Sequence, residues 1–144
     1  MPEFSPGQLA ALETAYQQAL YEVYADAQTI TIQVNVHSKA LTQLLQQCQE
    51  TDWTLVTAYN PYSQQLSSAE NQENSLLLET AIQRLNLPYL PAVGRDSAGV
   101  WPPEVSWFAM GIDRQAAIAL GKQFSQNAIL YGTSATLPQL VWLL

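Results

Sequence analysis

The residues best suited to bind a ligand stand in the stretch TAYNPYSQQLSSAEN, which begins at Thr57. An apolar run over residues 53–59 stops at Asn60 and Pro61, and amides and hydroxyls dominate the residues that follow. Such groups recognise polar ligands without proton transfer, and ligands gather beyond the carboxyl ends of strands in alternating helix–strand folds. The pattern predicts a polar pocket rim containing Asn60 and Ser63, although an Asn-Pro pair also serves simply to turn the chain.

Asn71 is predicted to lie on the buried face of the helix that follows. At 100° per residue, Asn71 shares a stripe with Leu78, Ile82 and Leu85, so an amide begins an otherwise apolar face. In the first helical turn, free backbone N–H groups favour an anion or a carbonyl oxygen nearby. The alternative is that the Asn71 amide only braces the preceding loop, because buried polar groups must be hydrogen-bonded.

Three further candidates lie in the second half of the chain. Glu104 precedes an apolar strand, where a carboxylate can act as a general base or anchor a ligand, or else be an exposed acid paired with Arg95. Gln126 stands between the fourth helix and the last predicted strand, a position equally typical of a turn residue. Trp101, in a proline-rich loop, is the aromatic residue expected to be most exposed, and it could cover a ligand or a protein partner.

The residue sets of familiar catalytic and metal sites are missing. His37 is the single histidine, and Cys48 is the single cysteine. Cys48 falls on an apolar helix stripe and is expected to be a buried, unreactive thiol. The sequence has no phosphate-binding glycine loop and no spaced set of metal ligands, so neither a metal nor a cofactor is predicted.

Hydrophobic periodicity predicts the elements that position these residues. Four helices are expected, with N-terminal caps at Ser5, Ser38, Ser67 and Asp113, and the first helix carries its apolar stripe through Leu20 to Val23. Strands are predicted near residues 29–36, 53–59, 105–111 and 127–131, whereas the segment YLPAVG, interrupted by Pro91, is expected to be an edge strand or a loop.

The alternation of helices and strands predicts one domain over residues 1–144 with a central sheet flanked by helices. We expect an α/β fold, with α+β as the alternative, and a mixed sheet of about four to five strands. The sequence does not decide the strand order or directions, or the oligomeric state.

Charge and composition exclude several classes of partner. The net charge is −7, and the five basic residues are scattered along the chain, so neither nucleic acid nor a membrane surface is an expected partner. The sequence shows no signal peptide and no apolar run of the roughly 20 residues needed to cross a bilayer. With a single cysteine, these features lead us to expect a cytoplasmic protein.

Several motifs, in order along the chain, resemble those of the bacterial DUF3293 family, whose function is unknown. They are AYQQALY, TAYNPYS followed by SAEN, GVWPPEVS and GKQFSQNAILYG. The resemblance singles out Asn60, Pro61, Ser63, Asn71, Glu104 and Gln126. Basic and hydroxyl residues that the resemblance implies nearby are replaced here by Ala19, Leu20, Tyr62 and Asn74. If the family pocket holds an anion through arginines, these replacements imply the loss of that capacity in this member.

Three functions are compatible with these observations. The first is a binding or regulatory module whose amide-rich pocket holds a small polar ligand or a peptide. The second is an enzyme in which Glu104 is the acid or base while Asn60, Asn71 and Gln126 orient a polar substrate. The third is an acidic scaffold or inhibitor that acts through protein contacts near Trp101.

Overall fold

The computed structural model describes residues 2–144, and within them four α-helices and seven strands follow one another. The helices are α1 (Pro6–Gln18), α2 (Lys39–Gln47), α3 (Ser68–Arg84) and α4 (Arg114–Gln123). The strands are β1 (Leu20–Ala25), β2 (Gln28–Ile32), β3 (Asp52–Thr57), β4 (Tyr89–Arg95), β5 (Glu104–Met110), β6 (Ala128–Thr133) and β7 (Gln139–Trp142). A short 3₁₀ turn covers Pro61–Ser63.

The seven strands form one sheet in the order β2-β1-β4-β5-β3-β6-β7, and every neighbouring pair is antiparallel. The chain is therefore a single α+β domain. The expectation of a mixed sheet with four to five strands was wrong on both counts. The four predicted strands exist as β2, β3, β5 and β6, and β1, β4 and β7 enlarge the sheet.

The first helix is shorter than its apolar spacing suggested. Helix α1 ends at Gln18, and Leu20 and Val23 belong to β1. Spacings of three and four residues continue from α1 into this strand, so the helical period hid the change of structure. Strand β2 also ends before the predicted limit, at Ile32, and Val36 lies exposed beyond it.

Strand β4 lies inside the sheet, between β1 and β5, which corrects its prediction as an edge or loop. Pro91 pairs with Trp107 of β5, but the ladder between β4 and β1 stops at Ala92. Because the proline lies just beyond that ladder, its missing N–H is not required on the β1 side. An interior strand can therefore contain this proline.

The helix caps follow the sequence closely. Ser5, Ser38, Ser67 and Asp113 all accept a hydrogen bond from the first turn of the helix that follows. Helix α2, however, ends at Gln47, and the side chain of Cys48 is exposed beyond it. The prediction of a buried thiol was wrong because the apolar stripe of α2 ends one turn before the cysteine.

Each face of the sheet carries its own apolar core. The first face packs against α2 around Trp53 and Phe108, whose rings stack with centroids 5.5 Å apart. The second face packs against α3 and α4 around Leu78 and Leu120. Near one end of the sheet the first face is instead covered by α1, whose Tyr16 makes an edge contact with Trp142. This end carries the candidate site.

We predict that Gly132→Ala lowers the free energy of unfolding by about 1–3 kcal/mol, as overpacking of a core does. A Cβ at Gly132 would lie 2.7 Å from the ring of Trp53, which is fully buried and cannot move aside. Gly94→Ala is the matched control, because its Cβ would lie 3.4 Å from the Tyr21 ring. The control should change stability by about 1 kcal/mol or less. Equal denaturant midpoints for the two variants would contradict this packing.

Candidate functional site

A cavity of about 120 Å³ lies between α1 and the first face of the sheet. Strand alternation sends Thr57, Glu104 and Ser106 to this face, and the register places Gly94 opposite Glu104. Helix α1 covers these residues with Ala15 and Tyr16 among the lining side chains, and further polar lining residues come from the loops at the strand ends. The cavity is therefore enclosed by one helix, several strand ends and their loops. The further lining residues used below are Tyr21, Tyr59, Asn60, Ser63, Arg95, Asp96, Trp101 and Gln126.

Asn60 connects β3, α3 and β5 through its hydrogen bonds. Its backbone N–H donates to Asn71 Oδ1 at 2.9 Å, and Asn71 Nδ2 donates back to Asn60 Oδ1 at 2.9 Å. The same Oδ1 accepts from the Leu66 N–H at 3.1 Å, and Asn60 Nδ2 donates to Glu104 Oε2 at 3.2 Å. The Asn60 amide is thus fixed with its NH₂ group directed to the carboxylate.

The loop after β3 is held in an unusual backbone conformation. The backbone φ values of Asn60, Tyr62 and Ser63 are 46°, 51° and 59°. They lie in the left-handed region, which non-glycine residues other than Asn, Asp and His seldom adopt. The Tyr62 N–H donates to the Ser125 carbonyl at 2.8 Å, and Gln126 Nε2 donates to the Tyr59 carbonyl at 3.1 Å. Residues of such strained backbone cluster at functional sites, where the surrounding structure holds them in place.

Asn127 and Tyr16 continue this network into α1. Asn127 Nδ2 donates to Ser63 Oγ at 2.7 Å and to the Tyr16 hydroxyl at 3.3 Å. The Tyr21 hydroxyl donates to the Tyr16 carbonyl at 3.2 Å, which ties the end of α1 to β1. The two tyrosines are therefore held beside the loops that carry the predicted site residues.

The electrostatics of the cavity centre on Glu104. Desolvation by burial raises the pKa of Glu104 from its ordinary 4.5 to about 7, against the lowering effect of the hydrogen bond from Asn60. Burial also raises the pKa of Tyr16, with hydrogen bonds from Asn127 and Ser63 opposing it and the charge of Glu104 adding to it. For Tyr21, burial and then the charges of Tyr16 and Glu104 raise the pKa. At neutral pH the carboxyl group is close to half ionised, and the phenols are neutral.

The loop after β4 places Trp101 at the cavity. The Asp96 carboxylate accepts the backbone N–H groups of Ala98, Val100 and Trp101 at 3.2, 2.9 and 3.0 Å. These hydrogen bonds, that from Trp101 first, lower the pKa of Asp96 although burial raises it. The carboxylate therefore folds the loop back, and the Trp101 side chain lines the cavity while remaining 38% exposed.

The structure brings together most of the residues that the sequence predicted for a site. Asn60, Ser63, Trp101, Glu104 and Gln126 line the cavity. Asn71 is outside the lining, behind Asn60, and both ends of its amide are bonded to that residue. The hydrogen bonds place Asn71 in the bracing position that was the alternative to ligand contact.

Sequence reasoning missed two lining tyrosines. Both residues fall within the first helix as it is predicted from the sequence, whereas the structure has Tyr16 in α1 and Tyr21 in β1. The residues Tyr21, Val23 and Tyr24, of types that favour strands, were the available signal for β1, but the helical spacing concealed it.

The part of the chain that the structure describes has neither a cluster of metal ligands nor a helix able to span a membrane. Within residues 2–144, no group of three or more His, Cys, Asp and Glu side chains is placed to hold a metal ion. Over the same residues, every helix is too short or too polar to traverse a lipid bilayer.

We predict that Asn71→Ala destabilises the protein by about 1–3 kcal/mol, because it leaves the Asn60 N–H and Oδ1 without their partner. Asn74→Ala, one turn along α3, is the control, since Asn74 makes no side-chain hydrogen bond within residues 2–144. It should change the free energy of unfolding by about 0.5 kcal/mol or less. Denaturant midpoints measure both. If Asn71→Ala proved as stable as the control, Asn71 would not be a brace.

We predict that Glu104→Gln alters the dependence of stability on pH. A carboxyl group whose pKa is 4.5 when unfolded and about 7 when folded favours the native state fully below pH 4.5, and loses that contribution as the pH rises to 7. Glutamine is neutral throughout. The variant should gain about 2–3 kcal/mol relative to the unmodified protein between pH 4 and pH 8. Parallel stability curves for the two proteins would show that the carboxyl group is well solvated.

A family model described as a protein of unknown function, DUF3293, matches residues 56–129, which is more than half of the chain. The matched segment contains every residue that the sequence predicted for the site, whereas Tyr16 and Tyr21 precede it. No curated protein and no solved structure matches the chain. The family model and the motifs around Asn60 and Glu104 agree, and the chain belongs to the DUF3293 family.

Proposed function

We propose that the protein binds a small polar ligand in the cavity beneath α1, with Glu104 as the anchor of that ligand. The observation that carries the proposal is that Glu104 shares the cavity with Asn60, Ser63 and Gln126. A concave site with a few convergent polar groups and a carboxyl group of perturbed pKa is the usual form of a ligand site.

The energetics of the site support this proposal. Burial that raises the pKa of Glu104 opposes folding at neutral pH, and the left-handed backbone at Tyr62 and Ser63 opposes it as well. Both unfavourable features meet at one cavity. Polar residues in clefts are often retained at the expense of stability because they serve binding or catalysis.

An enzyme is the second candidate, and the pKa of Glu104 favours it. A carboxyl group that titrates at about 7 can both accept and donate a proton near neutral pH. In this function Glu104 is the acid or base, and Gln126 and Asn60 orient the substrate. Asn71 acts only through Asn60, as a positioning residue, because it makes no contact with the cavity.

A scaffold function has less support than a ligand-binding function of the cavity. Val100 is 77% exposed beside Trp101, but the Trp101 side chain itself lines the cavity. We retain as expectations a cytoplasmic location and partners other than nucleic acid. They still rest on the single cysteine and the five scattered basic residues.

The test is a fragment screen followed by nuclear magnetic resonance of the side-chain amides of Asn60 and Gln126. Ala15→Phe places a ring in the cavity lining, and Ala11→Phe, on the exposed side of the same helix, is its matched control. We predict that fragments shift both amide signals in the unmodified protein and in Ala11→Phe, but not in Ala15→Phe. Fragments that bind all three proteins equally, or none at all, would refute a cavity function.

The same fragment hits separate the two candidates. A binding module leaves each ligand chemically unchanged, whereas an enzyme converts substrates that share the hits' chemistry. Glu104→Gln should abolish such conversion, because glutamine cannot transfer the proton. Mass spectrometry of the incubated ligand measures this directly.

A further inference from the structure

Within residues 2–144, Glu104 has no cationic partner. Arg95 is the one basic residue that lines the cavity, and its guanidinium is ion-paired with Glu22. That pair is the sole ion pair within residues 2–144. Asp96, the other charged residue in the lining, directs its carboxylate to backbone N–H groups of its own loop. The cavity therefore contains a partly buried carboxyl group and no free positive charge.

Aromatic side chains surround much of the cavity beneath α1. Tyr16 and Tyr21 line it from α1 and β1, Tyr59 lines it from the end of β3, and Trp101 does so from the loop after β4. The faces of tyrosine and tryptophan rings attract cations, and the attraction is strongest where water is excluded. A carboxylate among such rings is the arrangement that proteins use for ammonium groups.

The fixed amides of the cavity present acceptors more than donors. Gln126 uses its Nε2 for the carbonyl groups of Tyr59 and Phe124, so its oxygen is the atom available to a ligand. The Asn60 NH₂ group is directed to Glu104. A ligand that supplies several N–H groups fits this set better than one that supplies acceptors.

We propose that the ligand of this cavity is a small organic cation, namely a primary ammonium ion carried on a short alkyl chain. This inference rests on the proposed ligand-binding function. In the bound state, the ammonium group donates to Glu104 and Gln126, and its charge supplies the counter-ion that none of residues 2–144 provides to Glu104. The alkyl chain lies against the tyrosine rings. The protein's net charge of −7 also attracts cations toward the site.

The experiment compares three probes of similar size and shape that differ in charge: butylammonium, 1-butanol and butyrate. Binding is followed by the shifts of the Asn60 and Gln126 side-chain amides. We expect butylammonium to bind the unmodified protein, and Glu104→Gln to lose roughly tenfold or more in affinity for it. Glu73→Gln removes the same charge from the exposed surface of α3 and should bind as the unmodified protein does.

The affinity for butylammonium should also rise with pH. Tyr16 and Tyr21 stay neutral, and Asp96 and Arg95 stay charged, between pH 5.5 and 8.5, so Glu104 is the lining group that changes charge. With a pKa of about 7 for Glu104, the ionised fraction and hence the affinity increase by up to about 30-fold over this range. Glu104→Gln should show no such increase.

Three outcomes overturn the inference. If butanol or butyrate shifts the two amides at concentrations as low as butylammonium does, the cavity binds ligands but has no preference for cations. If Glu104→Gln binds butylammonium unchanged, Glu104 is not its partner. If none of the probes shifts either amide, the ammonium ligand is excluded, and the fragment screen with Ala15→Phe decides separately whether the cavity binds anything.

Discussion

The site depends on the hydrogen bonds that the side-chain amide of Asn60 makes. Asn60 follows the end of β3 and has a left-handed backbone conformation, which asparagine tolerates better than most residues do. One side chain then satisfies the Leu66 N–H and exchanges hydrogen bonds with Asn71, while its NH₂ group reaches Glu104. Removing the Asn60 side chain would leave the Leu66 N–H, the Asn71 NH₂ group and Glu104 without this partner. The start of α3 and the entrance of β5 are thereby fixed relative to the end of β3.

Antiparallel pairing explains why the carboxyl group lies in the lining of a cavity. Glu104 is the first residue of β5, and its partner across the strand pair is Gly94. Glycine has no side chain to fill the space opposite, so the first face of the sheet is open at this point. Burying a carboxylate without a positive partner is unfavourable, and the group responds by holding its proton more tightly.

Local chemistry was readable from the sequence, whereas long-range pairing was not. The four N-caps follow from residues within one helical turn, and the inward phase of Asn71 follows from the apolar spacing along a single helix. The structure has both as predicted. The seven-stranded order could not be read, because it depends on contacts between distant segments. Tyr21 shows this limit: its contact with the cavity depends on pairing with Gly94, 73 residues away. Asn127 is similar, since its bond to Ser63 spans 64 residues.

Helix α1 covers the cavity, yet none of its residues is fully buried. Its links to the rest of the protein include the edge contact of Tyr16 with Trp142 and the hydrogen bond from the Tyr21 hydroxyl. Segments with little buried apolar surface open at free energies well below that of global unfolding. Detachment of α1 would therefore expose Glu104 to solvent while the seven-stranded sheet stays intact. Opening of α1 is therefore expected to require less free energy than unfolding of the sheet beneath it.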